Sequence, residues 1–227
     1  NQLVDLWQSR DDATTQINWN DIYAANLANN YNNPNGSARY VLERRHNDIQ
    51  EAMVNIHYTN TKTDHLKITA GLEGKFSQGI HYKSVDDLLG ANQWIDVDPF
   101  ADRDIKELAT NAGLSQEDIE NVKKNDIASD YNDVKHDGDR FGYDYRINMG
   151  TLKVWAQNEW SFNDVDFYYA LQLTYSSMQR TTNMINGRAW YLAQLNPDQA
   201  DRYLGKQAND IIAQAQAGTL QVGSTYL

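Results

Sequence analysis

Residues 49–76 alternate between apolar and polar positions. On the first arm Ala52, Val54, Ile56 and Tyr58 share one parity, and Glu51, Met53, Asn55 and His57 share the other. On the second arm Leu66, Ile68, Ala70, Leu72 and Phe76 alternate with Lys67, Thr69, Gly71, Glu73 and Lys75. Successive strand side chains point to opposite faces, so a period of two predicts two strands, each with one apolar and one polar face. The polar run Thr59 to Asp64 predicts the turn between them. Leu66 to Phe76 is eleven residues long, and a tilted barrel strand needs roughly 9–11 to cross a bilayer.

The period returns from Phe141 to Trp160. Tyr143, Tyr145, Ile147 and Met149 share one parity, and Leu152, Val154, Ala156 and Trp160 the other. The change of phase at Gly150-Thr151 predicts a β-bulge. After the turn Ser161-Phe162-Asn163-Asp164, Phe167, Tyr169, Leu171, Leu173 and Tyr175 alternate with Asp166, Tyr168, Gln172, Thr174 and Ser176. Aromatic residues near the strand ends (Tyr58, Phe76, Tyr143, Tyr145, Trp160, Phe167 and Tyr175) suit the interface girdles of a membrane sheet. Arg39 to His46, at the start of the first strand, is charged on both parities and so projects into water.

The chain thus divides into a polar loop at 1–37, a hairpin at 38–83, a long acidic loop with short helices at 84–140, a second hairpin at 141–180 and a loop with a helix at 181–227. Short helices are expected at Asp102 to Asn111 and from the capping-box sequence Ser115-Gln116-Glu117-Asp118 to about Lys124, while residues 1–37 read foremost as a long surface loop, within which Trp19 to Asn29 behind the cap Asn18 is compatible with a short helix. A further helix is expected between Asn196-Pro197 and Gly218, with Ala200, Tyr203, Leu204, Ala208, Ile211, Ile212 and Ala215 as its apolar stripe. Short turns at one end and long polar segments at the other match the asymmetry of outer-membrane barrels. A soluble sheet with one buried face shows the same periodicity. The loop asymmetry and strand length favour the membrane.

Composition sharpens this. The 227 residues carry 20 Lys+Arg and 31 Asp+Glu, for a net charge of −11, which argues against a nucleic-acid partner. Residues 84–140 hold 15 acidic and 6 basic residues, so most of that charge sits in one loop. There is no cysteine, which removes disulfides and thiol chemistry. No run approaches the roughly 18 apolar residues of a membrane-spanning helix. The chain begins Asn1-Gln2-Leu3 and reads as a mature, trimmed or excised piece. Four strands cannot close a barrel, for which about eight is the practical minimum.

Candidate chemistry is sparse. Asp96, Asp98, Asp102 and Asp104 form an acidic cluster, and Asp130, Asp133, Asp137 and Asp139 a looser one. Their spacing does not match an EF-hand loop, and a solvated acidic surface outweighs a calcium site or a carboxylate pair for glycoside hydrolysis. His46, His57, His65, His81 and His136 lack metal-ligand spacing. No cofactor and no enzyme activity are expected. Trp94 beside Asp96 and Asp98 is the best candidate for contacting a ligand.

The stretch Gly71-Leu72-Glu73-Gly74-Lys75-Phe76-Ser77-Gln78-Gly79-Ile80-His81-Tyr82, followed by Asp86-Asp87-Leu88-Leu89-Gly90 and Trp94-Ile95-Asp96, resembles TonB-dependent outer-membrane receptors of the Bacteroidetes type with an N-terminal carboxypeptidase-regulatory-like domain. So do Gln16-Ile17-Asn18-Trp19-Asn20-Asp21-Ile22-Tyr23-Ala24-Ala25-Asn26 and Arg39 to Asp48. The likeness covers most of residues 1–180, in barrel strands and loops. It implies a 22-stranded barrel in the bacterial outer membrane, closed by a plug, that imports a nutrient with energy passed on by TonB. The plug and its energy-coupling motif would lie upstream. The expected fold is therefore all-β with helical loop insertions, part of a transmembrane antiparallel β-barrel. Val54, Ile56, Leu66, Ile68, Leu72, Leu171 and Leu173 are expected to face lipid, and Asn55, Lys67, Glu73 and Gln172 the lumen. The loops would meet an oligosaccharide or peptide, or a surface-exposed lipoprotein. The alternative is a soluble, secreted, β-rich glycan-binding module.

Overall fold

The computed structural model describes residues 2–32, 36–101, 113–127, 133–195, 198, 213 and 225–226. Three helices come first: α1 (Gln2–Ser9), α2 (Asp12–Thr15) and α3 (Trp19–Asn32). Then follow β1 (Leu42–Thr63), β2 (Leu66–Asp87), β3 (Trp94–Ile95), α4 (Gln116–Lys123), β4 (Val134–Lys135), β5 (Arg140–Phe162), β6 (Val165–Thr182), α5 (Gly187–Leu195) and β7 (Thr225–Tyr226). The chain is mostly strand, and one antiparallel sheet in the order β1-β2-β5-β6-β7 dominates it. Among the described residues β1 and β6 do not pair, so the sheet is open. The helices expected at 102–111 and after Asn196 lie outside the described residues.

Both hairpins form where alternation predicts them. β1 and β2 close through Thr63↔Leu66, so the tight turn is Asp64-His65 and β1 runs four residues beyond the expected end at Thr59. β5 and β6 close through Phe162↔Val165. Asn163 there has φ 41°, a left-handed conformation that Asn tolerates better than most residues. The strands are 18 to 23 residues long, so each spans about 60–75 Å at ~3.3 Å per residue.

The bulge expected at Gly150-Thr151 is absent. Register runs unbroken there, Phe76↔Gly150↔Ser177 and Lys75↔Thr151↔Ser176. The irregularity falls instead at Tyr82/Lys83, opposite residues 141–144, with Gly142 at φ 72°. The sequence phase changes at Gly150 because the strand leaves the apolar band there, so its apolar residues switch faces while the backbone stays regular.

Gly71 shows how tightly the polar face packs. It pairs with Trp155, and the indole occupies the space a Cβ would need. Gly74, on the opposite face, has nothing within 4 Å of that position. Gly71→Val is expected to destabilise the sheet by about 1–3 kcal/mol through overpacking. Gly74→Ala is expected to be neutral or stabilising by about 0.4–1 kcal/mol, since it only narrows the unfolded ensemble. Unfolding midpoints of the two variants check this.

The long-loop end carries a small fold of its own. Ala38, Val85, Leu88 and Phe141 form one apolar cluster beneath Val41, Ala91 and Trp94, and Ala101 and Val122 form a second beneath Leu114, Tyr191 and Leu192. The α4 start is as expected: Ser115 caps it, with its Oγ accepting from the Asp118 N–H and the Asp118 carboxylate accepting from the Ser115 N–H. Asn26 ties α3 down. Fully buried, its Nδ2 donates to the carbonyls of Tyr40, Leu88 and Leu89, and its Oδ1 accepts from the N–H groups of Arg39 and Tyr40.

Candidate functional site

The register sorts the four long strands into two unlike faces. One carries Val54, Ile56, Leu66, Ile68, Leu72, Leu171 and Leu173 together, in cross-strand rows such as Ile56↔Leu72↔Val154↔Leu173. Nothing among the described residues covers it: Leu72 is 42% exposed, Val54 61%, Leu171 66% and Leu173 68%. Large contiguous apolar surfaces of this kind mark contact with lipid or with another protein.

This apolar band has two edges. On the long-loop side it stops at the row Gln50↔Gln78↔Asn148↔Gln179, where Gln78 Nε2 donates to Asn148 Oδ1 at 2.7 Å. On the short-turn side it ends in aromatic side chains: Tyr58, Trp160 with Phe162 (ring centres 6.0 Å apart) and Phe167 with Tyr169 (6.2 Å). Phe76 and Tyr175 stand near the other edge. Tyr143 and Tyr145 do not join this set. Tyr145 pairs with His81 on the opposite face and is sandwiched by His81 at 5.0 Å and Arg180 at 4.3 Å, and Tyr143 packs on Tyr145 and Lys83. Between Leu66 and Phe76 the strand rises roughly 33 Å, or roughly 25 Å in height at the usual barrel tilt.

The other face is polar. Asn55 and Glu73 are cross-strand partners, Lys67 lies further along β2, and Gln172 falls on the row Gly71↔Trp155↔Gln172. Ion pairs run down it: Glu51–Lys75 at 2.9 Å, Glu73–Lys153 at 3.0 Å and Lys67–Glu159 at 3.1 Å. These pairs are part-exposed, so each contributes little stability. Their effect is a water-compatible wall directly behind an apolar one.

Trp94, Asp96 and Asp98 lie together in the long-loop fold, but their polar groups are turned inward. Asp96 is 3% exposed and Asp98 6%. Asp96 accepts from Asn125 Nδ2 (2.7 Å) and the Gly142 N–H (2.9 Å). Asp98 accepts from Arg188 Nε (2.7 Å), the Phe100 N–H (2.8 Å) and Asn186 Nδ2 (3.1 Å). Burial pushes the Asp98 carboxyl up, but the hydrogen bonds and charge of Arg188, with Phe100 and Asn186, outweigh it and leave the pKa below the ordinary value. Asp133 goes the other way: burial raises it, and the charges of Asp96 and Asp126 add to that against Lys124 and Lys135. Trp94 packs edge-on against Phe141 at 6.5 Å. These residues join the 84–140 and 181–195 segments rather than presenting an open carboxylate pair. Tyr191 adds to the joint, donating to Asp118 Oδ1 at 2.6 Å, and burial followed by that bond pushes its phenol up to about 12.

Arg188, Asn186 and Asn26 have no signal in the sequence, because their partners lie as far away as 90 residues. No group of three or more His, Asp or Glu able to hold a metal occurs among the described residues. Comparison with family models and with curated proteins finds no match to this chain.

Proposed function

We propose that this chain is a segment of a transmembrane β-barrel in the bacterial outer membrane, belonging to a TonB-dependent receptor that imports an oligosaccharide or a peptide. The observation that carries the membrane part is an apolar band of bilayer height that none of the described residues covers, with an ion-paired face behind it. In this reading Val54, Ile56, Leu66, Ile68, Leu72, Leu171 and Leu173 face lipid. Asn55, Lys67, Glu73 and Gln172 face the lumen or a plug. The strand ends beyond the Gln78 row carry the loop fold into water. Hydrocarbon leaves no backbone donor or acceptor unsatisfied, so the free edge of β1 is paired by further strands of a closed barrel. The import function rests on the sequence resemblance alone, with TonB acting through a plug and the loops meeting nutrient or a surface lipoprotein.

A soluble glycan-binding module would need the Leu171–Leu173 face covered by its own core. Fractionation separates the two. The full-length protein in a Gram-negative host is expected to sediment with the outer membrane, resist alkaline carbonate and need detergent for release. Recovery as a detergent-free soluble monomer would rule out the membrane reading. Cells lacking the protein are expected to lose protonophore-sensitive uptake of a labelled oligosaccharide or peptide.

A further inference from the structure

The apolar band is not evenly clad. Where other rows carry Leu, Val or Tyr, the adjacent positions Ala52, Gly74, Gly150 and Ser177 leave a shallow open groove of about 580 Å³, walled by Phe76, Leu152 and Tyr175. That volume is within the roughly 300–1,000 Å³ of ordinary small-molecule sites. Four residues further along β5, on the same face, stands Arg146. It is exposed, and no acceptor among the described residues pairs with it. Its cross-strand neighbours, Ile80 and Thr181, are uncharged. The next carboxylate on its own strand face, Asp144, is held by Arg140 at 2.6 Å, and Asp48 lies two strands away across Ile80, turned toward His46.

From Gly150 to Arg146 the strand rises about 13 Å, or about 10 Å in height when tilted. The hydrocarbon core ends within roughly one row of Gly150, and the headgroup layer beyond it is about 5–8 Å deep. Arg146 therefore stands at phosphate level above an acyl-sized depression, and the amides of Gln78 and Asn148 lie between them at the level of lipid ester groups.

We propose that this face holds one phosphorylated membrane lipid, an acyl chain in the groove over Gly74 and Gly150 and its phosphate on Arg146. The proposal rests on the membrane reading above. The groove supplies packing that any acyl chain meets. Arg146 supplies the choice of headgroup, since a guanidinium on a stem lying along apolar surface pairs a phosphate with two parallel N–H groups.

The test uses the full-length protein reconstituted in liposomes of dimyristoyl phosphatidylglycerol and dimyristoyl phosphatidylcholine in equal amounts, with retained lipid counted by native mass spectrometry. Wild type is expected to retain one lipid, with phosphatidylglycerol favoured about fivefold over its zwitterionic counterpart, the ratio that one interfacial arginine commands. Arg146→Gln should bring that ratio close to one without lowering the total. Gly74→Phe should fill the groove and remove the retained lipid of both kinds. Arg146→Gln keeping the preference, or Gly74→Phe keeping the lipid, in protein that floats with the liposomes would overturn the lipid site and leave the barrel reading intact. Protein that fails to float with the liposomes in any form would overturn both.

Discussion

Leu173→Arg is expected to block membrane assembly, while Gln172→Arg, one residue away, is expected to leave it nearly unchanged. Leu173 lies on the row Ile56↔Leu72↔Val154↔Leu173, near the middle of the apolar band. An arginine at the mid-depth of a barrel's lipid face costs about 2–4 kcal/mol, falling toward zero at the interfaces. The folded, inserted population should therefore drop by about 30- to 1,000-fold relative to wild type. Gln172 points to the face already lined by Lys67, Lys75 and Lys153, where another cation meets water and carboxylates. A soluble sheet that covers this face with its own core would also lose stability on Leu173→Arg, but its wild-type and Gln172→Arg forms would fold without liposomes, so folding that depends on the bilayer separates the two readings. Heat-modifiable gel migration, after refolding into liposomes, reads the folded fraction of each variant.

The second large effect is expected in the loops. Asp98→Ala should loosen α5 from the 84–140 segment at a cost of about 3 kcal/mol, the low end of the roughly 3–5 kcal/mol for removing one partner of a buried pair, while Tyr191 and its apolar neighbours still hold it. The low end applies because the Arg188 side chain keeps 25% of its surface in solvent, against 4% for Asp98. The loss removes the carboxylate that accepts from Arg188 Nε, Asn186 Nδ2 and the Phe100 N–H, and leaves Asn186 Nδ2 its bond to Asn125 Oδ1. Amide exchange should speed up across residues 186–195 and not in β1 or β2. Acid should act through the same group. The folded-state pKa of Asp98 lies below its ordinary 3.8. Its contribution is then complete above about pH 4 and disappears as pH falls through the folded value. Asp133, raised in the folded state, shifts stability in the opposite sense. In Asp98→Ala the acid-induced loosening of α5 should be absent.

The sheet was legible in the sequence because a strand's two faces are written at a period of two. The alternation from Ala52 to Phe76 and from Leu152 to Tyr175 suffices to place both hairpins and to separate their apolar positions from their polar ones. The reading failed where the environment, not the backbone, changes along the strand. At Gly150 the apolar parity switches as β5 leaves the band, which mimics a bulge, and Tyr145, whose place near a strand end suits a girdle, stacks with His81 and Arg180 on the other face. The loop site was less legible. Asp96 and Asp98 were visible as an acidic pair beside Trp94, but what their oxygens do depends on Asn125, Gly142, Asn186 and Arg188, partners 29 to 90 residues distant. Such contacts follow from tertiary closure and leave no local periodicity to read.

The central claim is that one face of the hairpin meets lipid. It is tested most directly by placing a nitroxide label, one position at a time, at Leu66 through Phe76 in the liposome-reconstituted protein. Collision with oxygen, which concentrates in hydrocarbon, and with a water-soluble nickel chelate should alternate with a period of two. Oxygen should dominate at 66, 68, 70, 72, 74 and 76, most strongly near the middle, and the chelate should gain at the odd positions. Chelate access equal at both parities, or even positions shielded from both reagents, would contradict a membrane-facing band.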